Sequence, residues 1–350
     1  MNLITQAQLA EWLDGLARQR TLIAPHEVAG VLLYRPVESS QKIAWGFGRT
    51  VMSVKEAFFP PTERLLTIEK SDGGIKLIEN LPEGEQVLFG VRPCDARGVR
   101  ILDALFLDKE PVDPYYARRR ANTALVGLAC KEMGPTCFCT SVGGAPDEAS
   151  DMDVMLYEVE GGYAVETVTE KGKALLQTIN LEEQTVEKPI VNRQSPALSV
   201  AEGSIENQKS PIPNPQFISW PAHFTSEYWP RVSERCLSCR ACTYVCPTCR
   251  CFIIRDEVLP YTSGEPAAGA FERIRCWDSC EGENYRRIAG GHRQRAEKSE
   301  RLRNRFFCKF YYYPEQYGLG AASACTGCGR CVDICPVNVD ITEVLTDLAR

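Results

Sequence analysis

The stretch RCLSCRACTYVCPTCRCF, residues 235–252, holds six cysteines between Cys236 and Cys251, more thiolates than one four-coordinate metal site uses. The first four, Cys236, Cys239, Cys242 and Cys246, follow C-x2-C-x2-C-x3-C and lead into Pro247. The same spacing returns in CTGCGRCVDICP as Cys325, Cys328, Cys331 and Cys335, then Pro336. Three thiolates two residues apart wrap one corner of a cubic iron–sulfur core, and their loop turns backbone N–H groups toward its sulfides. The fourth cysteine, carried past that corner and set before proline, ligates the other cluster in two-cluster ferredoxins. The spacing therefore predicts two crossed 4Fe-4S sites. One takes Cys236, Cys239, Cys242 and Cys335; the other takes Cys325, Cys328, Cys331 and Cys246. Structural zinc is the alternative for C-x2-C pairs, and two complete x3-C-P endings weigh against it.

Working outward, the chain has 350 residues, 44% hydrophobic and 25% charged, an ordinary globular profile with room for two domains. Its net charge of −6 gives no reason to expect nucleic acid or an anionic membrane as partner. No apolar run approaches a membrane span. The start, MNLITQAQLAEWLDGLARQR, lacks a basic region followed by an apolar core, and Leu9, Trp12, Leu13 and Leu16 recur at helical spacing. A cytoplasmic location is expected. There the 17 cysteines stay reduced, so metal ligation is favoured over disulfides. Histidines are only three (His26, His223, His292), which points to all-thiolate sites.

The expected fold is α+β. Residues 1–185 form an α/β domain, in which QVLFGV (86–91) and TALVGLA (123–129) read as buried parallel strands. The segment RPCDARGVRILDALFL between them reads as a helix through Val99, Ile101, Leu102, Leu105 and Leu107. Residues 186–232 are rich in Pro, Ser and Asn and read as a linker that Trp220 and Trp229 pin down. Residues 233–350 read as a two-cluster ferredoxin-like domain with an insertion at 252–320.

Nine cysteines lie outside the two runs. Cys94 and Cys130 follow the two predicted strands, at the carboxyl ends where open α/β sheets bind ligands. Cys137 and Cys139 flank Phe138, and in an extended segment both thiols face one way. These four suit a third 4Fe-4S cluster, with Asp95 as a substitute oxygen ligand; the alternative is buried thiols acting as small apolar groups. Cys249, Cys251, Cys276, Cys280 and Cys308 read mainly as surroundings of the two-cluster module. The basic run from Arg293 to Arg305, with Lys309, reads as a solvated or partner-docking face.

The chain resembles the β-type iron–sulfur subunit of cytoplasmic sulfhydrogenases and the related A subunit of anaerobic sulfite reductase. The resemblance rests on CPTCRCF, WDSC, AGGH, RNRFFCKF and CTGCGRCVDICPVN, and on GVRPCDARGVRILD, YYARRRAN and CFC nearer the start. It implies an electron-transfer subunit of an oxidoreductase complex, linking a flavoprotein subunit that binds NAD(P)H to a separate catalytic subunit. That catalytic partner is of hydrogenase, sulfite reductase or heterodisulfide-reductase type. No G-x-G-x-x-G follows a predicted strand, so neither flavin nor NAD(P) is expected in this chain, and no catalytic residue is assigned. The competing readings are a sulfur- or disulfide-reducing enzyme using the extra cysteines, and a zinc-binding interaction module.

Overall fold

The computed structural model describes residues 1–71, 73–177, 179, 186–189, 191, 212–258, 270–319 and 323–350. The strands are β1 (Asn2–Ile4), β2 (Thr21–Val28), β3 (Val31–Val37), β4 (Thr62–Ser71), β5 (Gly74–Glu79) and β6 (Gln86–Val91). They continue as β7 (Thr123–Leu128), β8 (Val154–Val159), β9 (Gly162–Thr167), β10 (Phe252–Val258) and β11 (Ala270–Trp277). A seven-stranded sheet runs β1-β9-β8-β7-β6-β2-β3. Its centre, β8-β7-β6-β2, is parallel, and antiparallel strands close both sides. The two apolar runs read from sequence are the neighbouring strands β6 and β7, paired from Gln86↔Thr123 onward.

The first helix, α1 (Gln6–Ala17), buries Leu9, Trp12, Leu13 and Leu16 against one side of this sheet. A capping box between Thr5 and Gln8 starts it, satisfying N–H groups that lack an intrahelical partner. After the short α2 (Lys55–Phe58), helix α3 (Pro93–Phe106) opens with proline at its first position, where no N–H is needed. It packs Val99, Leu102 and Phe106 on the other side, over Leu88, Val91 and Leu125. Helices α4 (Pro114–Ala121) and α5 (Glu170–Leu176) complete this part.

A second sheet, β10-β11-β4-β5, is antiparallel throughout. Two of its strands, the edge strand β10 and the inner strand β11, come from the insertion at 252–320, so that insertion is built onto the N-terminal part. Arg275 on β11 anchors it, donating to the buried Glu63 on β4.

The remaining helices are α6 (Tyr228–Arg235), α7 (Ala241–Tyr244), α8 (Lys298–Phe307), α9 (Tyr313–Tyr317), α10 (Arg330–Asp333) and α11 (Ile341–Leu348). A π-helical turn, Cys308–Tyr312, joins α8 to α9. Much of the expected linker, 190 and 192–211, lies outside the described residues. Trp220 and Trp229 within it are buried among Phe306, Phe307 and Phe310, and Trp220 stacks on Phe310 at 5.1 Å. Among the described residues no helix is long and apolar enough to cross a membrane.

Candidate metal centres

The two cysteine runs adopt the same backbone path. Ser238 and Arg240 in the first, and Gly327 and Gly329 in the second, all have positive φ, between 53° and 75°. Each run then enters a one-turn helix, α7 or α10, and these two turns pack on one another. The left-handed residues tip backbone N–H groups inward: Ser238 N donates to Cys236 Sγ at 3.3 Å and Gly327 N to Cys325 Sγ at 3.4 Å. Val339 N donates to Cys335 Sγ at 3.2 Å.

Cys236, Cys239 and Cys242 line one pocket, and Cys335 lines it with them. Cys246 is buried and lies within electrostatic reach of both Cys325 and Cys331, as Cys328 does of Cys331. Burial pushes the Cys242 and Cys325 thiols up to about 12 and Cys331 to about 11. Isolated, these groups stay protonated; thiolates here need positive charge beside them.

That charge is present. The Arg305 guanidinium is buried beside Cys242 and Cys331, and its Nε and Nη2 have no hydrogen-bond partner among the described residues. Lys309, also buried, donates to Cys246 Sγ at 3.0 Å. Lys55 is buried with its Nζ 3.2 Å from the Cys249 carbonyl; burial lowers its pKa to about 8. Buried cations with vacant donors cost several kcal/mol unless an anion meets them. A thiolate-ligated iron–sulfur cluster is such an anion, so this donor set fits one.

The solvated or partner-docking face expected from sequence does not take in the whole basic run: Arg293 and Arg303 keep partial exposure, but others do not. Arg301, Arg305 and Lys309 are buried, because α8 lies across the first cysteine run with one basic edge turned inward. Sequence offered no signal for Lys55, nor for Glu281, whose buried carboxylate lines the Cys236 pocket with neither oxygen partnered among the described residues.

Cys94 opens α3 just beyond β6, and Cys130 lies two residues beyond β7. Cys130 lies within electrostatic reach of Cys94 and Cys139, and Cys137 within reach of Cys130 and Cys139. CFC is not the extended segment expected: Phe138 has ψ 33° and Cys139 begins a 3-10 turn. Asp95 is not a spare oxygen ligand, because Arg330 holds both its oxygens, at 2.6 and 2.8 Å. The loop of the second run passes close by, with Phe138 N donating to Gly327 O at 2.8 Å and Cys94 facing Cys328.

Among the other cysteines, the Cys249 thiol hydrogen-bonds Cys246 and the Cys280 thiol hydrogen-bonds Cys251. Cys308 Sγ accepts from Arg250 Nη2 at 3.4 Å, and Cys276 lies on β11 opposite Ile253. Among the described residues no three His, Cys, Asp or Glu side chains are close enough to hold a single metal ion.

Residues 235–339, which contain both runs, match the model of a 4Fe-4S dicluster domain, implying two 4Fe-4S clusters. Over 320 residues the chain is 32% identical to sulfhydrogenase 2 subunit beta of Pyrococcus furiosus, covering 90% of this chain and 88% of the relative. The chain belongs to the sulfhydrogenase beta subunit family. As a family member it carries the dicluster domain at its C-terminal side and the mixed α/β sheet at its N-terminal side. No solved structure matches it.

Proposed function

We propose that the chain is the iron–sulfur electron-transfer subunit of a cytoplasmic oxidoreductase complex. It relays single electrons between a flavin- and NAD(P)H-binding subunit and a catalytic subunit of hydrogenase, sulfite reductase or heterodisulfide-reductase type. Cys236, Cys239, Cys242 and Cys335 hold one cluster; Cys325, Cys328, Cys331 and Cys246 hold the second; Cys94, Cys130, Cys137 and Cys139 hold a third.

The observation that supports this reading is that Cys335, from the second run, lines the pocket of Cys236, Cys239 and Cys242 from the first, with Cys246 within electrostatic reach of Cys325 and Cys331. A cuboidal cluster spreads its four thiolates over separate corners, so its site is wider than that of a single zinc ion. When bound, such a cluster takes up and returns one electron at a time. The chain's own residues then supply the rest. Backbone N–H groups of Ser238, Gly327 and Val339 bond the ligand sulfurs, Arg305 and Lys309 offset their charge, and the surrounding apolar residues keep water out. The exposed Cys239 brings the first centre to the surface, where a partner's carrier approaches it.

Iron and acid-labile sulfide in the anaerobically purified chain test this. About twelve of each per chain are expected, and about eight without the third site, because such clusters come in fours. Zinc without sulfide would refute the reading.

One observation favours a second reading, a disulfide-reducing enzyme. The Cys251 sulfur accepts hydrogen bonds from the Cys280 thiol and the Tyr285 hydroxyl, which bring it down to about 6, in the range of reactive thiols. Reduction of a small disulfide by the isolated chain with an artificial electron donor, lost in Cys251→Ser, would support that reading.

A further inference from the structure

The π-helical turn Cys308–Tyr312 interrupts an otherwise continuous helical run from α8 into α9. Such turns are rare and recur at functional sites, where the extra residue re-aims a side chain. Here the turn carries Lys309. Its Nζ donates to Cys246 Sγ at 3.0 Å, to Thr248 Oγ1 at 3.2 Å and to Cys249 Sγ at 3.5 Å. Its backbone carbonyl accepts the N–H of Ala324 at 2.7 Å, next to Cys325. One residue of the insertion thus touches both cysteine runs. The side chain is buried, and it donates to sulfur and hydroxyl rather than to carboxylate.

We propose that Lys309 sets the reduction potential of the centre assigned above to Cys246, Cys325, Cys328 and Cys331, holding a positive charge and a hydrogen bond against the Cys246 sulfur. The inference rests on that ligand assignment. Reduction adds one negative charge to a thiolate-ligated cluster. A cation fixed at a ligand sulfur, away from water, favours that charge more than it favours the oxidised state, so the potential rises. Arg305 lies beside both Cys242 and Cys331, so it acts on both centres. Of the sulfurs assigned as cluster ligands, Lys309 bonds that of Cys246, which belongs to one centre, and this makes its effect selective.

The test is an anaerobic redox titration of the full chain, followed by electron paramagnetic resonance, with Lys309→Met and Lys309→Gln. With iron content unchanged, one cluster signal should move to lower potential. At the wild-type midpoint its reduced-to-oxidised ratio should fall roughly tenfold in Lys309→Met, about 59 mV for one electron. Lys309→Gln, which keeps an N–H donor without charge, should move the same signal by less. That signal should be the one abolished by Cys246→Ser. Unshifted midpoints in an iron-replete variant, or equal shifts of every signal, overturn the role of Lys309. Iron loss in both variants overturns it too, making the residue purely structural. A wild-type chain free of acid-labile sulfide would instead remove the cluster reading before any Lys309 variant is made.

Discussion

Arg330 and Asp95 form a doubly hydrogen-bonded ion pair, at 2.6 and 2.8 Å, with side chains only 2% and 0% exposed. Asp95 sits in the first turn of α3, beside Cys94; Arg330 sits between Cys328 and Cys331. The pair joins the N-terminal sheet to the second cysteine run, and Arg330 Nε also donates to the Thr50 carbonyl at 2.9 Å. Removing one partner strands a buried charge. Asp95→Ala should destabilise the chain by about 3–5 kcal/mol, read as a lowered denaturation midpoint. Asp95→Ala with Arg330→Met should recover part of that loss.

The proposed exchange of fourth ligands makes a prediction that sequence neighbours would not. Cys335→Ser should damage the centre of Cys236, Cys239 and Cys242, and Cys246→Ser the centre of Cys325, Cys328 and Cys331. Spectra of the two variants distinguish this, provided the Cys236→Ser variant loses the same signal as Cys335→Ser. Loss of the Cys325→Ser signal in Cys335→Ser would mean each run closes on itself.

Gly327 has a φ of +64°, and a Cβ there would come within 2.5 Å of the Cys139 backbone. Gly327→Ala meets both the left-handed strain and a backbone that has no room to yield. It should cost more than the roughly 1 kcal/mol of an ordinary glycine position and release iron from the neighbouring sites. Thermal denaturation and iron content check this; a variant as stable and iron-rich as wild type would contradict the close approach.

Glu281 provides a pH test. Burial raises its carboxyl to about 7, against the lowering influence of Arg305 and Arg301. The folded state therefore binds the proton more tightly than the unfolded state does. The stability this confers is complete below the unfolded carboxyl range and is lost as pH rises through about 7. From pH 5 to pH 8 the group should remove up to about 3 kcal/mol. Denaturant titrations at the two pH values should show that loss in wild type and a smaller one in Glu281→Gln.

Much of the fold was legible because local pattern and burial coincide. The helical repeat of Leu9, Trp12, Leu13 and Leu16 is the buried face of α1, and the two apolar runs are β6 and β7. Membership of β10 and β11 in a sheet with β4 and β5 was not legible. Those strands mix charged and apolar residues without regular alternation, and the partners of β11 in β4 lie far back in sequence. The charged residues that matter most were misread for a related reason. Asp95 looked like a spare ligand and Arg305 and Lys309 looked solvated, since nothing in a charged side chain's immediate sequence states whether water or a buried counter-charge will face it.

The cysteine spacing alone determined that two equivalent loops exist, because loop length and the residues that tolerate positive φ are local properties. Only the tertiary structure decided which cations are carried in beside those loops. Those neighbours come from α8, α2 and the π-helical turn, which approach the loops through long-range packing that no short stretch of chain encodes.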